Sequence, residues 1–392
     1  MNRIRQLRLA KGFSLEKLAG EMGGLVTKQA LSKYEKDLSI PSPTVAARLA
    51  AALGVKALQL WSDQTVNVEF VAYRRLACMG KKKKTEIEAI VGKSLEDRFR
   101  LQERLGLTDS FQWMSEKRPL KNAEDAEKAA ERIRLDWGLG LDAIADLMNI
   151  LENRLIHCLE VESGREFDGI SALAKNDKEE VVAAAVTTRK VVSGDRQRMN
   201  LAHELGHLVL RLNSGINEEK AAFRFAGAFL LPGETIRKEI GDSRANLQLT
   251  ELLALKRRFG ISLQALLHRL CDLSIISTTT YKSWMIDIGQ KGWRKEEPEP
   301  IALEKSTWLE RMLTRALAEG IVTIEEAKNI GGEIARKIGE TIKPSRAAFL
   351  RLSIEQRKRA LEEQAKQAQK YYSSAMIEND LETGEINDHD SK

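Results

Sequence analysis

The 392-residue chain has little cysteine, few aromatic residues and very little histidine. Its three cysteines, Cys78, Cys158 and Cys271, are far apart, odd in number and without a Cys-x-x-Cys pair. That spacing argues against a disulfide framework or a thiolate zinc site and leaves three reduced thiols. Aromatic residues make up only 5% of the chain. Leu, Ala, Glu, Lys and Arg dominate instead, a composition that favours helix. No apolar run approaches the roughly 18–20 residues needed to span a bilayer. The basic stretch Met1 to Arg8 is not followed by an apolar segment with a small-residue cleavage site, so no signal peptide is read. The expected location is therefore the cytoplasm, with no membrane partner.

What is present fits two or three globular domains, since 392 residues with 43% hydrophobic content can bury more than one core. Charge is unevenly placed. Residues 1–62 hold ten Lys and Arg against four Asp and Glu, which accounts for the whole net charge of +6. A basic N-terminal segment is suited to phosphates.

Residues 2–61 read as short helices: one around Ile4, Leu7 and Leu9, a second over Leu15–Met22 capped by Ser14, a third from Thr27 to Lys36, and a fourth over Thr44–Leu53 after an interruption at Pro41-Ser42-Pro43. Val66, Val68 and Phe70 alternate as in a strand. Lys81 to Lys84 reads as an exposed linker before a helical pattern at Ile87, Ile90, Val91, Leu95 and Phe99. Residues 122–152 suggest two helices broken near Gly138, and Leu155–Val161 and Val181–Val186 suggest strands, with a turn into another strand at Phe167 to Ile170. Helices are expected over Arg198–Leu212, Glu218–Leu231 and 246–270, with a stop at Pro232-Gly233. Glu296 to Pro300 is an acidic boundary, residues 303–338 and 345–371 read as helical, and the acidic end beyond Met376 reads as disordered. The expected organisation is 1–62, a connecting region 63–121, a domain over 122–298, a helical region 299–375 and a tail 376–392.

A helix-turn-helix needs two short helices, the second presenting an outward face to base edges. In residues 14–36, Leu15, Leu18 and Ala19 supply one inner face, and Ala30, Leu31 and Tyr34 the other. Thr27, Lys28, Gln29, Ser32 and Lys33 are then the candidates for DNA contact; Gln can bond adenine twice, and Lys can reach guanine or phosphate. Ser14 to Ala19, Gln29 to Lys36, Pro41, Leu49-Ala50 and Leu53-Gly54-Val55 resemble the XRE/Cro-like repressor family over about 60 residues. The resemblance implies an operator in double-stranded DNA, bound as a homodimer. A small helical module for protein contacts is the alternative.

Two of the five histidines, His203 and His207, are four apart with Glu204 between them. Positions i and i+4 share a helix face, so both imidazoles can reach one ion, while Glu204 is offset by about 100°. A catalytic zinc takes three protein ligands and leaves a fourth position for water. Asn200 can cap the start of the histidine helix. Glu218 and Glu219 open the next helix within reach, and Asn217 can cap it. His157 and His268 sit in apolar patterns and read as structural. Arg198 and Tyr281 are weighed as transition-state donors against structural roles.

Phe167-Asp168-Gly169, Arg198 to Val209 and Glu219 to Pro232 resemble the ImmA/IrrE metallopeptidase family, and Phe259 to Leu270 and Gly292 to Pro298 resemble its long, XRE-fused branch. By that resemblance Glu219 is the third zinc ligand and Glu218 a helix-dipole residue. Met199-Asn200 and Phe223 depart from the family pattern without removing a ligand. The implied fold is α+β, mainly helical with a small sheet: an all-α helix-turn-helix domain, a zincin-like core and a helical C-terminal region. The implied function is a DNA-binding regulator with a zinc-dependent endopeptidase domain. Zinc-activated water cleaves a repressor or other partner protein, with Glu204 as general base. Two alternatives remain open: a regulator whose zinc domain is a non-catalytic sensor or scaffold, and the DNA-binding part of a toxin–antitoxin or prophage control module.

Overall fold

The computed structural model describes residues 2–61, 66–71, 79–111, 113, 119–164 and 166–341, with scattered positions between 354 and 369. Cys78, His389, most of 345–371 and the acidic tail lie outside the described residues. The chain divides into two compact units, residues 1–312 and 313–392.

The first four helices are α1 (Arg3–Ala10), α2 (Leu15–Glu21), α3 (Lys28–Glu35) and α4 (Pro43–Leu53). Each starts on a short polar side chain, Asn2, Ser14, Thr27 or Ser42, that accepts from an otherwise orphaned backbone N–H. Pro43 does not interrupt the chain as expected. It occupies the first turn of α4, where its missing N–H costs nothing. Gly54 ends α4 at φ 68°, a left-handed conformation glycine takes without strain. Leu7, Leu18, Leu31, Leu49 and Leu53 form the shared core. Beneath it, Arg8 and Glu35 make a buried two-pronged ion pair at 2.5 and 2.9 Å that ties α1 to α3.

Strand β1 (Asn67–Phe70) follows, then α5 (Lys81–Arg104), a helix of 24 residues. The four lysines expected to be a linker are its first turn. Cations there oppose the helix dipole, and Lys83 and Lys84 meet Glu86 and Glu88 one turn on. Next come β2 (Pro119–Leu120), α6 (Ala123–Asp136), α7 (Leu147–Glu152), β3 (Ile156–Val161), β4 (Gly169–Lys175) and β5 (Val181–Arg189). They are followed by α8 (Gly194–Val209), β6 (Arg211–Leu212), α9 (Glu218–Leu230), α10 (Gly233–Ile240), α11 (Leu249–Phe259), α12 (Leu263–Asp272) and α13 (Thr278–Gln290).

The main sheet has the order β1-β4-β5-β3, with β3 parallel to β5 and the other pairs antiparallel; β2 and β6 pair separately. Alternation along its strands serves two layers. Leu159, Val161, Ile170, Ala172, Ala183 and Ala185 pack with Ile87, Val91, Leu95 and Phe99 of α5. Cys158, Leu173, Ala184 and Val186 pack with Leu201, Leu205 and Leu208 of α8. The other side of α5 meets α1. Arg3 grips the Glu96 carboxylate at 2.7 and 2.9 Å, and Arg100 adds a third contact at 2.6 Å. Burial pushes the Glu96 carboxyl up, but Arg3, Arg100 and Lys93 together outweigh it and hold the group below its ordinary value.

Several expectations change here. Helix α8 begins at Gly194, after Ser193, so Asn200 lies inside it and is not its cap. Residues 211–212 are strand. Pro232-Gly233 ends α9 but at once starts α10, and the helical stretch 246–270 is two helices divided at Gly260, φ 63°. The acidic segment near residue 297 is fastened to the domain before it. Glu297 accepts from the Leu263 and Gln264 amides at 2.7 and 3.2 Å and pairs with buried Lys256 at 2.8 Å. Glu304 contacts Arg198 and accepts from the Met148 amide at 2.8 Å.

Helix α14 (Trp308–Ala318) starts on Glu152, which accepts from the Thr307 and Trp308 amides at 3.0 Å each. In the second unit, α15 (Ile324–Gly331) opens on a reciprocal Thr323–Glu326 cap, and α16 (Glu333–Thr341) follows.

Candidate metal centre

Helix α8 is buried over 14 of its 16 residues, with only Arg196 and Met199 more open. Leu201, Leu205 and Leu208 seat it on the sheet. The opposite stripe carries His203 and His207, whose Nε2 atoms lie 3.0 Å apart. Helix α9 crosses α8 closely because residue 206 is glycine. A Cβ there would come within 3.1 Å of Phe225 and 3.3 Å of Ala222 Cα. That crossing brings Glu219, at the start of α9, to the histidines. Its carboxylate oxygens lie 3.5 Å from His203 Nε2 and 3.6 Å from His207 Nε2.

The ligand atoms of His203, His207 and Glu219 all fall within 4.8 Å of one another. Tetrahedral zinc with ligands at about 2.0–2.1 Å spaces its ligand atoms about 3.3 Å apart. The three separations bracket that value, so the donor set and spacing suit such an ion. Burial pushes the His207 imidazole below its ordinary pKa, and His203 adds to this against the opposing carboxylates of Glu219 and Glu218. A neutral ring keeps its lone pair for a metal.

Glu204 leaves the histidine stripe and lies against β4. Ser171 Oγ donates to its Oε2 at 2.5 Å and to its backbone oxygen at 2.9 Å. Gly169 makes room for it, since a Cβ at that position would stand 2.6 Å from Glu204 Oε1. Asn200 donates to the Asp168 carbonyl at 3.1 Å, which fixes the turn into β4 over the site. Glu218 does more than favour the dipole. Its Oε1 is 3.1 Å from His207 Nδ1, where a carboxylate orients the ring. His203 Nδ1 has no hydrogen-bond partner among the described residues, and Phe223 covers that ring at 4.2 Å between centroids.

The helix-turn-helix family model matches residues 4–60, and the model of the IrrE N-terminal-like domain, a peptidase family, matches residues 190–271. The chain joins a helix-turn-helix domain to an IrrE N-terminal-like domain. No curated protein matches the chain in sequence.

In the helix-turn-helix domain, Thr27 is the cap of α3, with Oγ1 accepting from the Ala30 amide at 3.3 Å. Lys28, Gln29 and Lys33 are exposed and Ser32 is half-buried. Lys28 reaches Glu16 at 3.2 Å, so the two helices share a pair on the outer face. In the IrrE N-terminal-like domain, Arg198 is engaged in contacts away from the histidine pair. It is buried against Glu304 and donates to Ile144 O at 2.7 Å and Phe259 O at 3.3 Å. His157 is buried against Trp308. Exposed His268 pairs with Asp272 at 3.1 Å. Sequence reasoning missed Ser171 and the Glu218 contact. Neither carries a sequence signal beyond lying near Gly169 and Glu219. No helix among the described residues is long and apolar enough to cross a membrane.

Proposed function

We propose that this chain is a DNA-binding regulator whose IrrE N-terminal-like domain is a zinc-dependent endopeptidase of the cytoplasm. The observation that carries the reading is the convergence of His203, His207 and Glu219 beside a Glu204 turned away from them. A zinc held by His203, His207 and Glu219 would supply Lewis acidity toward a water and the scissile carbonyl. Glu204 is the general base: it takes the proton of the attacking water and returns it to the leaving amine. Ser171 holds the Glu204 carboxylate in place. Glu218 orients His207 and keeps its proton on Nδ1, so that Nε2 faces the centre. The substrate is a repressor or other partner protein. Lys28, Gln29, Ser32 and Lys33 read a double-stranded operator as part of a homodimer, with Thr27 setting the start of the reading helix.

A sensor or scaffold role is the second reading. It is favoured by Phe223, whose ring lies against His203. Glu204→Gln separates the two. The variant keeps zinc and operator binding, while cleavage of the partner repressor falls by about 10²- to 10⁴-fold. Wild-type derepression by that variant, with the partner intact in both strains, overturns the enzymatic reading.

A further inference from the structure

The first turn of α5 is built against its own helix. Lys81, Lys82, Lys83 and Lys84 fill it, no acid accompanies them, and Gly80 before them offers no side-chain cap. Four cations there oppose the helix dipole, whereas α6, α8, α9 and α10 all begin with acids. Lys83 meets Glu86 at 3.4 Å and Lys84 meets Glu88 at 3.9 Å, while Lys81 and Lys82 are exposed. The turn gains α5 no stability, and it carries more positive charge than its neighbours offset.

The position of the turn singles out a partner. Helix α1 lies antiparallel on α5: Arg3 grips Glu96, and a Cβ at Gly92 would stand 3.8 Å from Gln6 Nε2. At about 1.5 Å per residue, Lys84 to Lys81 then lie about 4–9 Å beyond the level of Lys11, the end of α1. That end leads through Gly12 and Phe13 to Ser14, the cap of α2, and Glu16 in the first turn of α2 pairs with Lys28 at the start of α3. The lysine turn is thus on the side of the molecule where α2 and α3 begin, beyond exposed Lys11 and Lys17. Arg3, Gln6 and Glu96 are buried in the α1–α5 joint, so this offset is set before any partner arrives.

We propose that Lys81 to Lys84 grip the phosphate backbone of double-stranded DNA beside the segment that α3 reads, so that the DNA contact extends beyond the helix-turn-helix domain. The grip rests on the operator-reading role of α3, because its partner is the same duplex. Lysine meets phosphate as a point charge and carries no sequence information. The turn therefore adds affinity on every duplex, while α3 supplies the preference. The buried joint with α1 holds the turn in place, which lowers the ordering cost of binding.

The test uses the full-length protein and two fluorescein-labelled duplexes of equal length: one selected by the wild-type protein from a random-sequence pool, and one unselected. Affinity is read by fluorescence polarisation over a series of salt concentrations. In the combined variant Lys81→Gln, Lys82→Gln, Lys83→Gln and Lys84→Gln, the slope of log affinity against log salt becomes shallower by about two to four. Affinity at moderate salt falls at least about ten-fold, by the same factor on both duplexes. Lys→Arg at the same four positions keeps the wild-type slope, since the charge is kept. Thermal unfolding of the glutamine variant matches wild type or improves on it, because cations leave the positive end of α5. Where the fourfold variant fails to fold, Lys81→Gln with Lys82→Gln decides by a slope change of about one to two. An unchanged slope overturns the proposal, as does a loss confined to the selected duplex or an arginine variant as weak as the glutamine one. The ratio between the two duplexes reports separately on α3: a wild-type protein with no preference overturns the operator reading, whatever the slope shows.

Discussion

Helix α3 of the helix-turn-helix domain and the histidine-bearing helix α8 use polar residues in opposite ways. Helix α3 buries two of its eight residues, Leu31 and Glu35, and turns Lys28, Gln29 and Lys33 outward. Helix α8 buries 14 of 16, including Asp195, Gln197, Arg198, His203, Glu204 and His207. A surface helix is specified by its own caps and stripe. A buried polar helix depends on partners far along the chain, because every desolvated polar group needs one. For α8 those partners are Ser171 for Glu204, Glu218 for His207 and Glu304 for Arg198.

The strongest way to break the comparison is at the proposed metal ligands. His203→Ala combined with His207→Ala should take zinc from about one per chain to near none, while operator affinity of residues 1–62 stays the same. Elemental analysis beside a DNA titration checks both; equal zinc in wild type and double variant would remove the site. Glu96→Ala strikes the joint between the two regions. Removing one partner of a buried pair costs about 3–5 kcal/mol, measured by urea unfolding. The sign with pH follows from the lowered carboxyl. The pair stabilises fully above the ordinary carboxyl value of 4.5 and loses its effect as pH falls through the lower folded value. A Glu96→Ala protein as stable as wild type at neutral pH would show that α1 is not held by this pair.

Smaller changes sharpen the contrast. Glu218→Gln should weaken zinc affinity by about 10- to 100-fold, read by competition with a chromophoric chelator. Unchanged affinity would return Glu218 to a dipole role alone. Thr27→Ala removes one cap from an exposed helix, and about 1 kcal/mol of stability should go with it. Thermal unfolding that shows no loss would mean that the cap bond is not needed for α3.

The same contrast explains how much could be read from sequence. The four helices of residues 2–61 fall within a residue or two of their expected bounds, because Ser14, Thr27 and Gly54 act on their immediate neighbours. His203, His207 and Glu219 come together as their spacing and the family resemblance imply. Helix α8 starts four residues before the expected Arg198. Asn200 offered a cap by type, but its side chain is taken by Asp168, 32 positions away. The lysines of α5 look like linker because a cationic first turn opposes the dipole; the sheet and α1 hold that helix in spite of it. Ser171 was invisible because nothing local distinguishes it from any strand serine.

The glycine at position 206 makes the α8–α9 crossing a gauge. The hydrogen on its α-carbon lets α9 approach α8 and so sets how far Glu219 stands from the imidazoles. One added methyl group must displace Phe225 or Ala222 by a few tenths of an ångström. Under the proposed zinc function, the fit of the ion is thus set partly by a residue that would never touch it, and an alanine at 206 is expected to shift the choice among divalent cations of different radius while every donor atom remains in place.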